Sequence, residues 1–167
     1  MNAQVIANIL SLVSSLLYTL STCFKSKKSI LLTQTGESLV GSIAQLVIGS
    51  YAPATTLVVC SVRNYIFSKK YQSILLSWIF CIFFLTFGIL INNQGFIGLL
   101  PVCATIQYTL WTGYIKDPQV IRYGTIINTI PWIIHDFYMG LYISVITMCI
   151  SLVIITINII RYKNKQK

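Results

Sequence analysis

Seven apolar runs separated by short polar gaps make up most of the chain, over residues 4–23, 29–48, 52–67, 73–91, 96–114, 119–137 and 141–160. A helix that crosses a bilayer needs about 20 mostly apolar residues, and each run approaches that length. Each therefore predicts one membrane helix. The third run is short and contains Arg63, and the sixth and seventh are parted only by a turn around Gly140. Hydropathy alone also admits six helices, but seven is the count that accounts for the gaps.

The gaps alternate in charge. Lys25, Lys27 and Lys28 follow the first run, Lys69 and Lys70 the third, Lys116 and Arg122 the fifth, and Arg161, Lys163, Lys165 and Lys167 the seventh. The gaps around Gly49-Ser50-Tyr51, Asn92-Asn93-Gln94 and Tyr138-Met139-Gly140 hold neither Lys nor Arg. Cytoplasmic loops of multispanning proteins carry the Lys/Arg excess, so the expected orientation is N-terminus outside and C-terminus cytoplasmic. Arg63, inside the third run, is the exception.

Composition strengthens this picture. The chain is 56% hydrophobic and 9% charged with mean hydropathy +0.78, against about 25% charged residues in soluble domains. The net charge of +9 lies in loops beside apolar runs, so the expected neighbour is anionic lipid and not nucleic acid. No basic segment precedes the first run and no Ala-x-Ala site follows it, so the first helix is expected to be retained. Cys23, Cys60, Cys81, Cys103 and Cys149 are scattered and do not cluster with His135, which points to small apolar membrane residues, with no disulfide, metal or cofactor expected.

The chain also matches itself. An offset of 90 lays Tyr18-Thr19-Leu20-Ser21-Thr22 over Tyr108-Thr109-Leu110-Trp111-Thr112, and an offset of 91 lays Gly49-Ser50-Tyr51 over Gly140-Leu141-Tyr142. Both matches fall at corresponding helix ends, which predicts that helices one to three are duplicated as helices five to seven. Three is an odd number, so an inserted fourth helix is needed for the copies to point the same way. The expected architecture is all-α and membrane-spanning, with parallel repeats in a 3+1+3 arrangement about an axis along the membrane normal. The expected parts are a first repeat over 1–70, a linker helix within 71–94, a second repeat over 95–161 and a basic tail over 162–167.

Few residues could carry chemistry. Charges inside a bilayer cost about 2.5 to 3.5 kcal/mol each on insertion scales and normally face a bundle interior with a partner. Glu37 lies about 12 Å along the second predicted helix and Arg63 about five residues from the end of the third, so an ion pair between them is expected, either purely structural or part of binding. On the sixth helix, Asn128, Trp132 and His135 form one stripe, whose counterparts at offset 91 are Glu37, Gly41 and Ala44. Both stripes are expected to face one central cavity, with His135 able to titrate near neutral pH. The bland alternatives are that Trp132 packs between helices and that His135 bonds a backbone carbonyl. Asp136 points about 100° away from His135 near the outer boundary and is expected to be solvated. Pro101 and Pro131, interior to helices five and six, are candidate hinges. Pro53 falls in a first helical turn, and Asp117-Pro118 reads as a helix cap.

The strings Leu99-Leu100-Pro101-Val102, Trp132-Ile133-Ile134-His135-Asp136-Phe137 with Gly140, and Asn158-Ile159-Ile160-Arg161 resemble the YgjV-type bacterial inner membrane proteins. Gly49-Ser50-Tyr51-Ala52 and Arg63 are similar too, so the resemblance spans nearly the whole chain. It implies residence in the bacterial plasma membrane. It also implies a layout similar to the SWEET and PQ-loop group, and hence a carrier of small solutes. The chain departs from that group in lacking hinge prolines in helices one and two, in lacking a PQ motif near the end of helix one, and in placing Ala44 opposite His135.

The leading expectation is therefore a transporter or facilitator of a small polar metabolite, alternating access between two three-helix bundles. Glu37 or His135 would serve any proton coupling. Expected partners are the solute, membrane lipids and further copies of the chain in a homo-oligomer. A non-transporting receptor or adaptor of similar architecture is the second expectation, although the short loops offer little surface for a protein partner. With three acids and one His, no paired carboxylates, metal cluster or triad can be assembled, so an enzyme is not expected.

Overall fold

The computed structural model describes residues 2–69, 71, 73–115 and 117–165. Lys70, Lys116 and Lys167 lie outside the described residues, as do the side chains of Lys163 and Lys165. Seven α-helices and no strand occur among the described residues: α1 (Ala3–Cys23), α2 (Lys27–Val47), α3 (Tyr51–Ser68), α4 (Ile74–Leu90), α5 (Gly95–Tyr114), α6 (Pro118–Tyr138) and α7 (Tyr142–Lys165). The helices follow the apolar runs closely. Arg122, assigned to a basic gap on sequence, instead lies inside α6 and is buried, donating to the Phe24 carbonyl oxygen at 3.2 Å. A guanidinium this close to a helix end can reach a neighbouring loop carbonyl while its stem stays packed.

Local chemistry sets the helix ends. The side chains of Asn2, Ser26, Ser73 and Asp117 accept from the backbone N–H groups of Gln4, Ser29, Leu76 and Gln119, satisfying donors that the first turn leaves unpaired. Pro118 occupies the first turn of α6 and Pro53 that of α3, where the missing N–H costs nothing. At the other end, α2 and α6 stop in the same way. Gly49 and Gly140 both take φ 73°, their N–H groups reach Leu46 O and Phe137 O, and Ser50 N and Leu141 N reach Gln45 O and Asp136 O, each at 2.9 Å. That is a Schellman termination, and it requires a residue tolerant of positive φ. The two terminations stand 91 residues apart, as the self-match anticipates.

Short loops make consecutive helices antiparallel. Six of the helices close into a ring: α1 packs on α2, α2 on α3, α3 on α5, α5 on α6, α6 on α7, and α7 on α1. Helix α4 stays outside the ring and covers the seam between α3 and α5. Small residues let it approach α5. A Cβ on Gly88 would meet Val102 Cγ1 at 2.7 Å, and one on Gly113 would meet Ser77 Cβ at 2.9 Å, so bare backbone faces the neighbouring side chain at both ends of α4.

The ring is polar inside and apolar outside. Among the described residues, buried polar and charged side chains outnumber buried hydrophobic ones, while Leu90, Phe96 and Ile82 are 75%, 76% and 63% exposed. Water would penalise such a surface and lipid does not. Buried hydroxyls are satisfied within their own helices, as where Thr109, Thr125 and Thr129 donate to the carbonyls of Thr105, Ile121 and Thr125. Helices α1 and Tyr142–Tyr162 of α7 are long and apolar enough to cross a membrane on length and composition, and α4 is apolar but shorter. The other ring helices fall below that hydropathy because their inward stripes carry Ser, Thr, Gln, Glu and Arg.

Candidate functional site

The ring encloses a cavity with about 690 Å³ of space not filled by protein atoms, part of it open to the outside. Side chains from all six ring helices line it and none from α4 does. Position along the helices sorts the lining into four layers, starting from the end that carries the Lys25–Lys28 loop.

The first layer holds Arg63, which is 2% exposed. Its Nε and one terminal nitrogen donate to Asn64 Oδ1 at 3.1 and 2.7 Å, and the other terminal nitrogen donates to Thr109 Oγ1. The guanidinium carbon lies 5.5 Å from the Tyr108 ring centre and 5.8 Å from that of Phe84, which α4 supplies from behind. In the same layer, two tyrosines bridge the ring. Tyr18 on α1 bonds Thr129 on α6 at 2.6 Å, and Tyr108 on α5 donates to Gln34 on α2 at 3.2 Å. They are the tyrosines paired by the self-match, and each reaches the middle helix of the opposite half.

Glu37 and Asn128 form the second layer, each ten residues into its helix by number (37 − 27 and 128 − 118). Ser38 Oγ donates to Glu37 Oε2 at 3.0 Å, and Ser14 Oγ lies 3.1 Å from its carbonyl oxygen and 3.4 Å from Oε1. Asn128 Oδ1 is buried without a partner. The expected Glu37–Arg63 ion pair does not form: among the described residues, no carboxylate lies within ion-pair distance of Arg63. Hydroxyls of α1 and α2 hold the carboxylate at mid-depth, while Asn64, Thr109 and two rings hold the guanidinium nearer the basic end. Both line one cavity without touching.

The third layer is apolar, with Leu57, Trp132 and Met148 packed over Gly41 and Ala104. The fourth closes the neutral end. Asp136 is 2% exposed, so it is not solvated as expected from its position near the helix end. Its Oδ1 accepts from Gln45 Nε2 at 3.0 Å and meets His135 Nδ1 at 3.0 Å, and its Oδ2 accepts from Ser144 Oγ at 2.6 Å. The reason is tertiary: α2 and α7 cover that face of α6 with polar side chains. Gln45 and Asp136 are themselves 91 residues apart and touch.

Of the residues proposed from sequence, Glu37, Arg63, Asn128 and Trp132 line the cavity together. His135 does not line it. Fully buried behind Asp136, it faces Ser50 Oγ and Gln94 Oε1 at 3.2 Å through Nε2, tying the α2–α3 and α4–α5 turns to α6. Pro101 and Pro131 lie inside α5 and α6 as expected but off the cavity wall. Sequence reasoning missed Gln34 and Gln45. Their spacing with Glu37, Ser38 and Gly41 on one face of α2 was a readable signal. It also missed the bridging role of Tyr18 and Tyr108, for which the self-match carried a hint.

A family model for bacterial inner membrane proteins, Imp-YgjV, matches residues 5–166. No curated protein and no solved structure matches the chain.

Proposed function

The chain belongs to the Imp-YgjV family of bacterial inner membrane proteins, and we propose that in that membrane it carries a small polar metabolite by alternating access. The observation that supports this reading is the central cavity, lined by all six ring helices and polar at mid-depth, where hydrocarbon would otherwise surround the protein. Buried polar groups in a membrane are costly, and sites of this kind mark solute pathways. The two halves, α1–α3 and α5–α7, are read as parallel repeats of SWEET-like 3+1+3 design, with the N-terminus outside and the C-terminus in the cytoplasm. The tyrosine bridges, the paired Schellman terminations and the Gln45–Asp136 contact support the duplication. Rocking one bundle against the other would break the Asp136 cluster at the neutral end while the tyrosine layer closes the basic end. Pro101 and Pro131 serve as hinges in the second bundle. The test is uptake of labelled metabolites into liposomes containing the purified protein. Flux equal to that of empty liposomes across sugars, amino acids and carboxylates would remove the proposal.

A further inference from the structure

The cavity presents a cation and a carboxylate that do not neutralise each other. Arg63 has five N–H donors, of which three are used, by Asn64 twice and Thr109 once, leaving two. No carboxylate among the described residues is within ion-pair distance of it. A buried guanidinium ordinarily finds an anion, and Arg is suited to gripping a carboxylate with two parallel bonds. One layer further in, Glu37 on α2 and Asn128 on α6 line the cavity at the same depth, and Asn128 Oδ1 is a buried acceptor with no donor. An acid and an orphaned acceptor on the same level of one cavity call for a group rich in N–H donors between them. From helix positions the two layers are separated by about 7 Å along the axis, a gap that the carboxylate and ammonium of one α-amino acid bridge when each also makes a hydrogen bond. Beyond them the wall turns apolar, with Leu57, Trp132 and Met148, and carries no further charge until Asp136, which is already saturated by three partners.

Resting on the transport reading, we propose that the solute is a neutral α-amino acid. Its carboxylate lies on Arg63, its ammonium lies between Glu37 and Asn128 Oδ1, and its side chain points among Leu57, Trp132 and Met148. A sugar would leave both charges unpaired. A simple monocarboxylate would satisfy only the first, and an acidic or basic amino acid would bury an extra charge in the apolar layer.

The test is calorimetric binding to the full chain in lipid nanodiscs. The twenty standard L-amino acids are tried singly, alongside propionate, isopropylamine and glucose, which lack one or both charges. At least one neutral amino acid is expected to bind ten-fold or more tighter than propionate, isopropylamine, glucose, glutamate and lysine. Glu37→Gln is expected to weaken that amino acid at least ten-fold and leave propionate unchanged. Arg63→Gln is expected to abolish binding of both, and Arg63→Lys to restore part of it. The wild-type ligand series decides the matter even if Arg63→Gln does not fold. Glucose, propionate or isopropylamine binding as tightly as the best amino acid, or no amino acid binding at all, would overturn the proposal. Liposome flux separates the two ideas. Sugar flux without amino-acid binding leaves transport standing and removes this solute, whereas selective amino-acid binding without flux keeps the site and removes transport.

Discussion

At the scale of single residues, the sharpest departure from expectation is Asp136. A helix wheel places it a full 100° from His135, which is true of the Cα positions and misleading for the carboxylate, because the side chain leans back and meets His135 Nδ1 at 3.0 Å. Its other partners come from α2 and α7, and no property of the string His135-Asp136 announces them. Removing the carboxylate leaves Gln45, His135 and Ser144 with unmet donors in a buried site. Asp136→Ala is expected to lower unfolding free energy by about 3–5 kcal/mol, and Asp136→Asn by about half of that. Chemical unfolding in detergent measures both, and equal losses for the two variants would contradict the account. Glu37 and Arg63 teach a related lesson. That both are buried inside the bundle was readable from hydropathy, because a charge within an apolar run has few places to go. That they do not pair was not, because the competing ligands, Asn64, Thr109, Ser14 and Ser38, are uncharged residues of types that fill the whole bundle.

At the scale of elements, the seven helices were legible to within a few residues, since each is an apolar run bounded by a cap or a glycine. Their neighbours were less so. The ring order follows the chain except at α4, which leaves it, and the cause is visible only in three dimensions. Gly88 and Gly113 admit a close approach, and Phe84 reaches through the α3–α5 seam to the back of Arg63. Replacing Gly88 with Leu pushes the side chain into Val102, where rigid branched atoms leave nowhere to move. We expect Gly88→Leu to lower the midpoint of thermal unfolding by several degrees, corresponding to about 1–3 kcal/mol. Loss of Arg63-dependent ligand binding should accompany it, because α4 carries Phe84. An unchanged melting curve would mean that α4 is not held where the glycines place it.

For the whole molecule, the pattern of loop charges was the most informative feature of the sequence, and it predicts sidedness. Single cysteines introduced at Ser26 and at Asn93 in a cysteine-free background should react differently with a membrane-impermeant maleimide on intact cells. Asn93→Cys is expected to be labelled at once, and Ser26→Cys only after the membrane is opened. The reverse result would invert the orientation. The cavity itself was foreseen only as two facing stripes. The tyrosine bridges toward one end and the aspartate cluster at the other depend on how six helices meet, which no single stretch encodes.

The position of α4 outside the ring bears on the integrity of the chain itself. Every wall of the cavity comes from helices that hold one another by packing, and among the described residues the α3–α4 loop contributes none to the lining. Continuity between the halves is then a matter of supply and stoichiometry more than of architecture. Two separately translated pieces, 1–70 and 71–167, should find each other in the membrane and recover the cavity, with α4 travelling as the second piece's docking arm.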